Sequence, residues 1–261
     1  MNESQSRAGR IIVALDTDSK QEALQIVKQL PQVEIFKVGL KLFTLEGPLL
    51  LKDIHNLGKK IFLDLKMHDI PNTVAQSVRA AIRYGVSMLT LHTSGGKEMM
   101  ARAVEEGKEE AAREKCPPPL FLAVTLLTSL KKKELRDIGM NPSIPDQVLR
   151  LSHLAQTAGM DGVVCSPQEI ELIKNKYGKN LKIVVPGIRP QWAANHDQKR
   201  IMTPSQAFQK KADFLVIGRP IIQASSPSNA FQLIVEESYN SPNSSDCGDS
   251  PKDHPHHNHN H

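Results

Sequence analysis

The chain has 261 residues, is 39% apolar and 23% charged, and carries a net charge of +5. Those proportions suit a globular protein with a sizeable core, and the sequence has no run of roughly 18 apolar residues that could span a membrane. Three cysteines, Cys116, Cys165 and Cys247, are too few and too scattered for a disulfide framework or a four-cysteine zinc site, which points to a reducing cytoplasm.

Residues 1–9 are polar, without an apolar stretch of signal-peptide length, and are expected to form a flexible N-terminus. From residue 10 to residue 237, short β-branched runs alternate with stretches of helical period. The runs are Ile11–Leu15, Val33–Val38, Ile61–Leu65, Met88–Leu91, Leu120–Val124, Gly162–Cys165, Lys182–Val185 and Phe214–Ile217. Near-continuous apolar runs of this kind suit parallel strands covered on both faces. Between them, Leu24, Val27 and Leu30 share a helical face, as do Val74, Val78 and Ala81. Ser19 with Glu22, Ser166 with Glu169 and Thr203 with Gln206 read as capping boxes, and Pro167 and Pro204 fit the first helical position. Eight strand–helix units make an α/β protein, a single-domain (β/α)8 TIM barrel. A doubly wound open sheet is the alternative, but no Gly-x-Gly-x-x-Gly follows the first strand.

Residues 238–261 lack Val, Ile, Leu, Met and Phe and hold half of the ten histidines. They are expected to be a disordered, His-rich tail whose simplest reading is a solvated segment, although it could bind a soft divalent metal loosely. Three aspartates against one lysine give this tail −2, so the rest of the chain carries +7. That balance favours an anionic small molecule or a nucleic acid. Dispersed basic residues and a 4% aromatic content argue against nucleic acid.

Polar residues gather where the strand runs end: Asp16, Lys37, Asp64 with Lys66, His92, Thr125 with Thr128, Arg189, and Gly218 with Arg219. In a barrel those ends share one rim, where active sites are built. Alternation puts Asp64 and Lys66 on one face, and Asp69 follows in a loop that Pro71 constrains by keeping Ile70 extended. Two carboxylates around one ammonium hold it protonated, which makes Lys66 a proton donor and not a Schiff-base amine. A structural ion-pair cluster is the competing explanation. Lys37 extends the array or is a solvated strand end. Asp16 binds a sugar hydroxyl or accepts at a helix start.

Gly218 lets the backbone approach an anion, and Arg219 offers a fork to a phosphate; a tight turn at Gly-Arg-Pro is the simpler alternative. The loop from Pro186-Gly-Ile-Arg189 to Arg200 reads as a hinged lid, with Arg189 and Gln198 in reach of the phosphate. Gly95-Gly96-Lys97 lacks P-loop spacing and reads as a turn opening a helix. Lys131–Lys133 reads as a solvated face, His92 as a rim histidine and Cys165 as a buried thiol. No His, Asp or Glu cluster has metal-ligand spacing, so no metal is assigned.

Asp64-x-Lys66-x-x-Asp69-Ile70-x-x-Thr73, with Ala14-Leu-Asp16, Phe36-Lys37-Val-Gly39, Val124-Thr-Leu-Leu-Thr-Ser129, Pro186-Gly-Ile-Arg189-Pro and Ile217-Gly-Arg-Pro220, resembles the bacterial branch of the orotidine 5′-phosphate decarboxylases. The resemblance runs in order through residues 10–236. It implies a cofactor-free lyase that converts orotidine 5′-monophosphate to uridine 5′-monophosphate and CO2 in pyrimidine biosynthesis. By resemblance, Lys66 protonates carbon 6, and Lys37, Asp64, Lys66 and Asp69 form the charged network. Asp16 and Lys37 match ribose contacts, and Thr128 with Ser129 the base contact. Arg189, Gln198, Gly218 and Arg219 match the phosphate and lid contacts. The resemblance also implies a homodimer with shared active sites, in which Asp69, Ile70 and Thr73 reach the partner's substrate. Two other readings stay open on the residues alone. One is a metal-dependent sugar-phosphate aldolase or epimerase on a related barrel, and the other a nucleotide-binding protein without turnover.

Overall fold

The computed structural model describes residues 6–193 and 202–240. The segments 1–5, 194–201 and 241–261 lie outside the described residues, and with them Gln198, Lys199, Arg200 and the histidines of the tail.

Eight parallel strands close into a barrel in sequence order. They are β1 (Ile11–Ala14), β2 (Ile35–Gly39), β3 (Lys60–Met67), β4 (Val86–His92), β5 (Leu120–Val124), β6 (Gly162–Val164), β7 (Lys182–Val185) and β8 (Phe214–Ile217). Closure comes from β8 pairing with β1, Val216 opposite Ile12. The helices of the outer ring are α1 (Lys20–Gln29), α2 (Leu40–Glu46), α3 (Leu49–Asn56), α4 (Pro71–Arg83), α5 (Lys97–Arg113) and α6 (Lys132–Asp137). It continues with α7 (Ile144–Thr157), α8 (Ile170–Tyr177), α9 (Pro204–Gln209), α10 (Arg219–Ile222) and α11 (Pro227–Tyr239). The closed ring decides against the open sheet. Among the described residues no helix is long and apolar enough to cross a membrane.

The strand sequences dictate two apolar layers. Outward-facing Ile11, Val13, Phe36, Ile61 and Leu63 pack under the helices with Val27, Ile54, Val74 and Val78. Inward-facing Ile12, Ile35, Phe62, Met88, Leu122, Val184 and Phe214 fill the barrel. Because side chains alternate along a strand, the inward position two residues further on faces the C-terminal mouth. Lys37 stands two after Ile35, Asp64 two after Phe62, and Thr90 two after Met88. The inner apolar layer is thus the floor on which polar groups are mounted.

Local chemistry sets the helix starts. Ser19 Oγ accepts the Glu22 amide at 3.2 Å, and Thr203 with Gln206 forms a complete reciprocal box. Glu22 reaches the amide of Asp18 instead of Ser19, so that first box is shifted by one residue. Ser166 donates its backbone N–H to Glu169 at 2.9 Å. Gly96, at φ +91°, caps α5, so Gly95-Gly96-Lys97 opens a helix.

Two expected boundaries move. Arg7–Arg10 is a 3-10 turn whose Arg7 amide donates to Tyr239 Oη at 3.0 Å, and Arg7 also stacks on the Phe208 and Tyr239 rings. The expected flexible N-terminus therefore stops short of residue 9. At the other end α11 runs to Tyr239 and Ser238 is fully buried, so the helix takes in residues assigned to the tail.

Candidate active site

β3 carries the central charges, and it does so through an irregularity. Leu63 stands opposite Leu89 of β4, and Met67 opposite Leu91. Three residues of β3, Asp64, Leu65 and Lys66, therefore face the single residue Thr90. Lys66 takes up the excess with φ +49°, a left-handed conformation uncommon for a side-chain-bearing residue. Bulges of this sort re-aim side chains beside active sites. Alternation along a regular strand places Asp64 and Lys66 on one face; they do meet, Lys66 Nζ lying 3.0 Å from Asp64 Oδ1, but by way of the bulge.

Asp64 is the hub. Its Oδ1 accepts from Lys66 Nζ and from Thr90 Oγ1, the latter at 2.9 Å, and its Oδ2 lies 3.8 Å from Lys37 Nζ. Lys37 Nζ in turn lies 3.7 Å from Asp16 Oδ1. The side chains of Asp64 and Lys37 are each 14% exposed, whereas Lys66 is 37% and Asp16 54% exposed. Acid and base thus alternate in the order Asp16, Lys37, Asp64, Lys66, shielded in the middle and open at both ends. In that alternation Lys37 is largely shielded within the array and is not a solvated strand end.

The array lines a cavity of 390 Å³ at the C-terminal mouth. Its apolar lining, Phe62, Val124, Val164 and Val216, comes from four strands around the barrel, while Thr128 and Ser129 stand in the loop after β5. On the far side are Arg189 and Arg219. Among the described residues neither guanidinium pairs with a carboxylate. Gly187, at φ +76°, makes the turn after β7; Ile188 is buried behind it, and the Arg189 amide donates to the Met202 carbonyl at 3.2 Å. Gly218 heads α10, and the space it leaves is already used: an added Cβ would lie 3.1 Å from Asp16 Oδ2 and 3.2 Å from Ala14 Cβ. The glycine therefore lets β8 approach β1 and its Asp16.

Three assigned residues lie outside this cavity. Asp69, Ile70 and Thr73 head α4, and among the described residues Asp69 makes no ion pair; its Oδ1 accepts the Ile70 amide at 2.6 Å. The expectation that Asp64 and Asp69 bracket Lys66 fails within one chain: Asp69, exposed in the loop between β3 and α4, makes no ion pair with Lys66 and does not line the cavity. The bracketed group is instead Asp64, between Lys37 and Lys66. Ile70 is extended, as expected before Pro71, and 66% exposed.

Thr90 and the apolar lining were not singled out from the sequence. The signal for Thr90 was a hydroxyl at an inward position of an otherwise apolar strand. His92 Nδ1 accepts the Ser94 backbone N–H at 3.4 Å, and its ring stacks on His68 with centroids 5.6 Å apart, as a rim histidine. Burial, with His68 and Lys66 adding positive charge nearby, lowers its pKa. Cys165 is buried, which pushes its thiol well up.

Fold and site together define a class, a (β/α)8-barrel enzyme for a small anionic substrate. Residues 9–234 match the family model described as orotidine 5′-phosphate decarboxylase / HUMPS, and the chain belongs to that family. It is 49% identical over 231 residues to the orotidine 5′-phosphate decarboxylase of Syntrophomonas wolfei, covering 87% of this chain and 97% of that one. With the orotidine 5′-phosphate decarboxylase of Actinobacillus pleuropneumoniae it shares 50% identity over 226 residues, 86% of this chain and 96% of that one. Among solved structures, the orotidine 5′-phosphate decarboxylase of Lactobacillus acidophilus superposes with a TM-score of 0.78 at 36% identity, covering 88% of this chain and 99% of that chain.

Proposed function

We propose that this cavity decarboxylates orotidine 5′-monophosphate to uridine 5′-monophosphate in pyrimidine biosynthesis, with Lys66 as the proton donor. The single observation that carries the assignment is the Lys66 ammonium, 3.0 Å from the shielded Asp64 carboxylate in a cavity whose far side holds Arg189 and Arg219. Arg219 and Arg189 take the phosphate, Asp16 and Lys37 the ribose, Thr128 and Ser129 the base. The apolar lining of Phe62, Val124, Val164 and Val216 accommodates the ring.

Breaking the bond between carbon 6 and its carboxylate releases CO2 and leaves the electron pair in the plane of the ring. The ring π-system does not delocalise that pair, so the stabilisation comes from a fixed positive charge at the carbon. Lys66 supplies it and then transfers an N–H proton to carbon 6, and solvent returns the proton to the amine. A charge held in place before the reaction has no reorganisation cost at the transition state. For slow reactions of this type the required barrier reduction can exceed about 20 kcal/mol. Phosphate binding away from carbon 6 contributes to it when it orders the site. No cofactor and no metal enter the proposal.

We also assign a homodimer with shared sites. The placement of Asp69, exposed Ile70 and Thr73 outside their own cavity supports it, since residues of α4's start are then free to reach a partner's substrate. The test of function is the loss of orotidylate absorbance in excess chelator. Turnover by the wild type and none by folded Lys66→Ala supports the assignment. Metal-dependent turnover of a sugar phosphate, or tight uridylate binding without turnover, overturns it.

A further inference from the structure

We propose that Thr90 is a positioning residue for Lys66: its buried hydroxyl spans the β3 bulge and ties the backbone and the ammonium of Lys66 to the same carboxylate. The inference rests on the assignment of Lys66 as proton donor. In a regular parallel ladder the amide of Lys66 would find a carbonyl on β4. Opposite the bulge it finds Thr90 Oγ1 instead, at 2.9 Å. A hydroxyl has one proton to give. Having accepted from Lys66 N–H, Thr90 donates that proton to Asp64 Oδ1, also at 2.9 Å, and the same oxygen receives Lys66 Nζ at 3.0 Å. The ring is closed from the Lys66 amide through Thr90 and Asp64 back to the Lys66 ammonium.

Two observations make this more than a local hydrogen bond. Lys66 sits at φ +49° inside a strand, unlike Lys115 and Lys211, the other positive-φ lysines among the described residues, which are exposed just past helix ends. Thr90 is 0% exposed, so bulk water does not substitute for its hydroxyl. It does not line the cavity, and therefore acts through Asp64 and Lys66 and not on substrate. A valine of the same shape leaves the Lys66 amide unpaired and Asp64 with one donor fewer, so the ammonium loses its fixed bearing on carbon 6. Misplacement of a reacting group by about 1 Å costs on the order of 100-fold in rate.

Thr90→Val, Thr90→Ala and Thr90→Ser test this, with two readouts. In steady-state turnover of orotidine 5′-monophosphate, Val and Ala should lower kcat by about 10- to 100-fold. KM and uridylate affinity should stay within about twofold, and Ser should recover most of kcat. Should Val not fold, the comparison of Ala with Ser carries the same information. In amide hydrogen exchange, Lys66 N–H should be protected in the wild type and in Ser and exposed in Val and Ala. Wild-type kcat in Val, a Ser variant as impaired as Val, a loss confined to KM, or unchanged exchange at Lys66 each overturns the proposal. A wild type that does not turn over orotidylate overturns the functional assignment instead, while the exchange comparison still decides whether Thr90 holds Lys66.

Discussion

Replacing Arg219 with alanine removes one of two guanidinium groups from the cavity's far side. A hydrogen bond to a charged group contributes about 1.5–3 kcal/mol net, and a guanidinium fork makes two to a phosphate. Arg219 is exposed at the start of α10, so screening brings the pair to the low end, about 3 kcal/mol. At 1.36 kcal/mol per decade this is on the order of a hundredfold in kcat/KM. The chain's single tryptophan, Trp192, lies three residues beyond Arg189 and is 51% exposed, which makes its fluorescence a reporter of that end of the cavity. Titration with uridine 5′-monophosphate and with uridine separates phosphate from nucleoside. Arg219→Ala should weaken the nucleotide by about a hundredfold and leave the nucleoside unchanged. Equal loss for both ligands, or no loss for the nucleotide, refutes the assignment of Arg219 to the phosphate.

Mixing inactive Lys66→Ala with inactive Asp69→Ala subunits should restore about a quarter of wild-type activity, because half the dimers then hold one intact site. No recovery after verified subunit exchange contradicts the shared site. Gly218→Ala should lower activity and cost about 1 kcal/mol of stability, since the new methyl meets Asp16 and Ala14 at 3.1–3.2 Å. Kinetics and thermal melts check it, and a neutral substitution refutes the close approach. His92 is held below its ordinary pKa of 6.5, so the fold favours its neutral ring. The stability it contributes is full above 6.5 and lost as pH falls through the folded value. Melting temperature followed from about pH 7 to pH 5 should therefore fall less in His92→Asn than in the wild type, and parallel curves refute it.

The strands were legible because each is an apolar run with β-branched residues between turn signals, and burial on both faces leaves no other use for such runs. Lys37, Asp64, Lys66 and Arg219 were legible because charges at strand ends gather at one mouth of a barrel. The contact between Asp64 and Lys66 was anticipated for the wrong reason. Alternation assumes a regular strand, and a bulge depends on pairing with β4, which local sequence does not encode. Gly218 reads as an anion contact from its neighbours, yet its missing side chain makes room for Asp16, a residue about 200 positions away that chain closure brings adjacent. Thr90 looked like any strand threonine until the register placed it opposite three residues of β3. Asp69 was grouped with Lys66 by sequence proximity, whereas the turn into α4 separates them.

The proton-donor assignment of Lys66 meets its most direct test in the product itself. Turnover of orotidine 5′-monophosphate in D2O under excess chelator should place one deuterium at carbon 6 of uridine 5′-monophosphate. Folded Lys66→Ala, with uridylate affinity within about tenfold of wild type, should release no CO2 above background. A Lys66→Ala protein that binds the nucleotide and still decarboxylates at near the wild-type rate contradicts it.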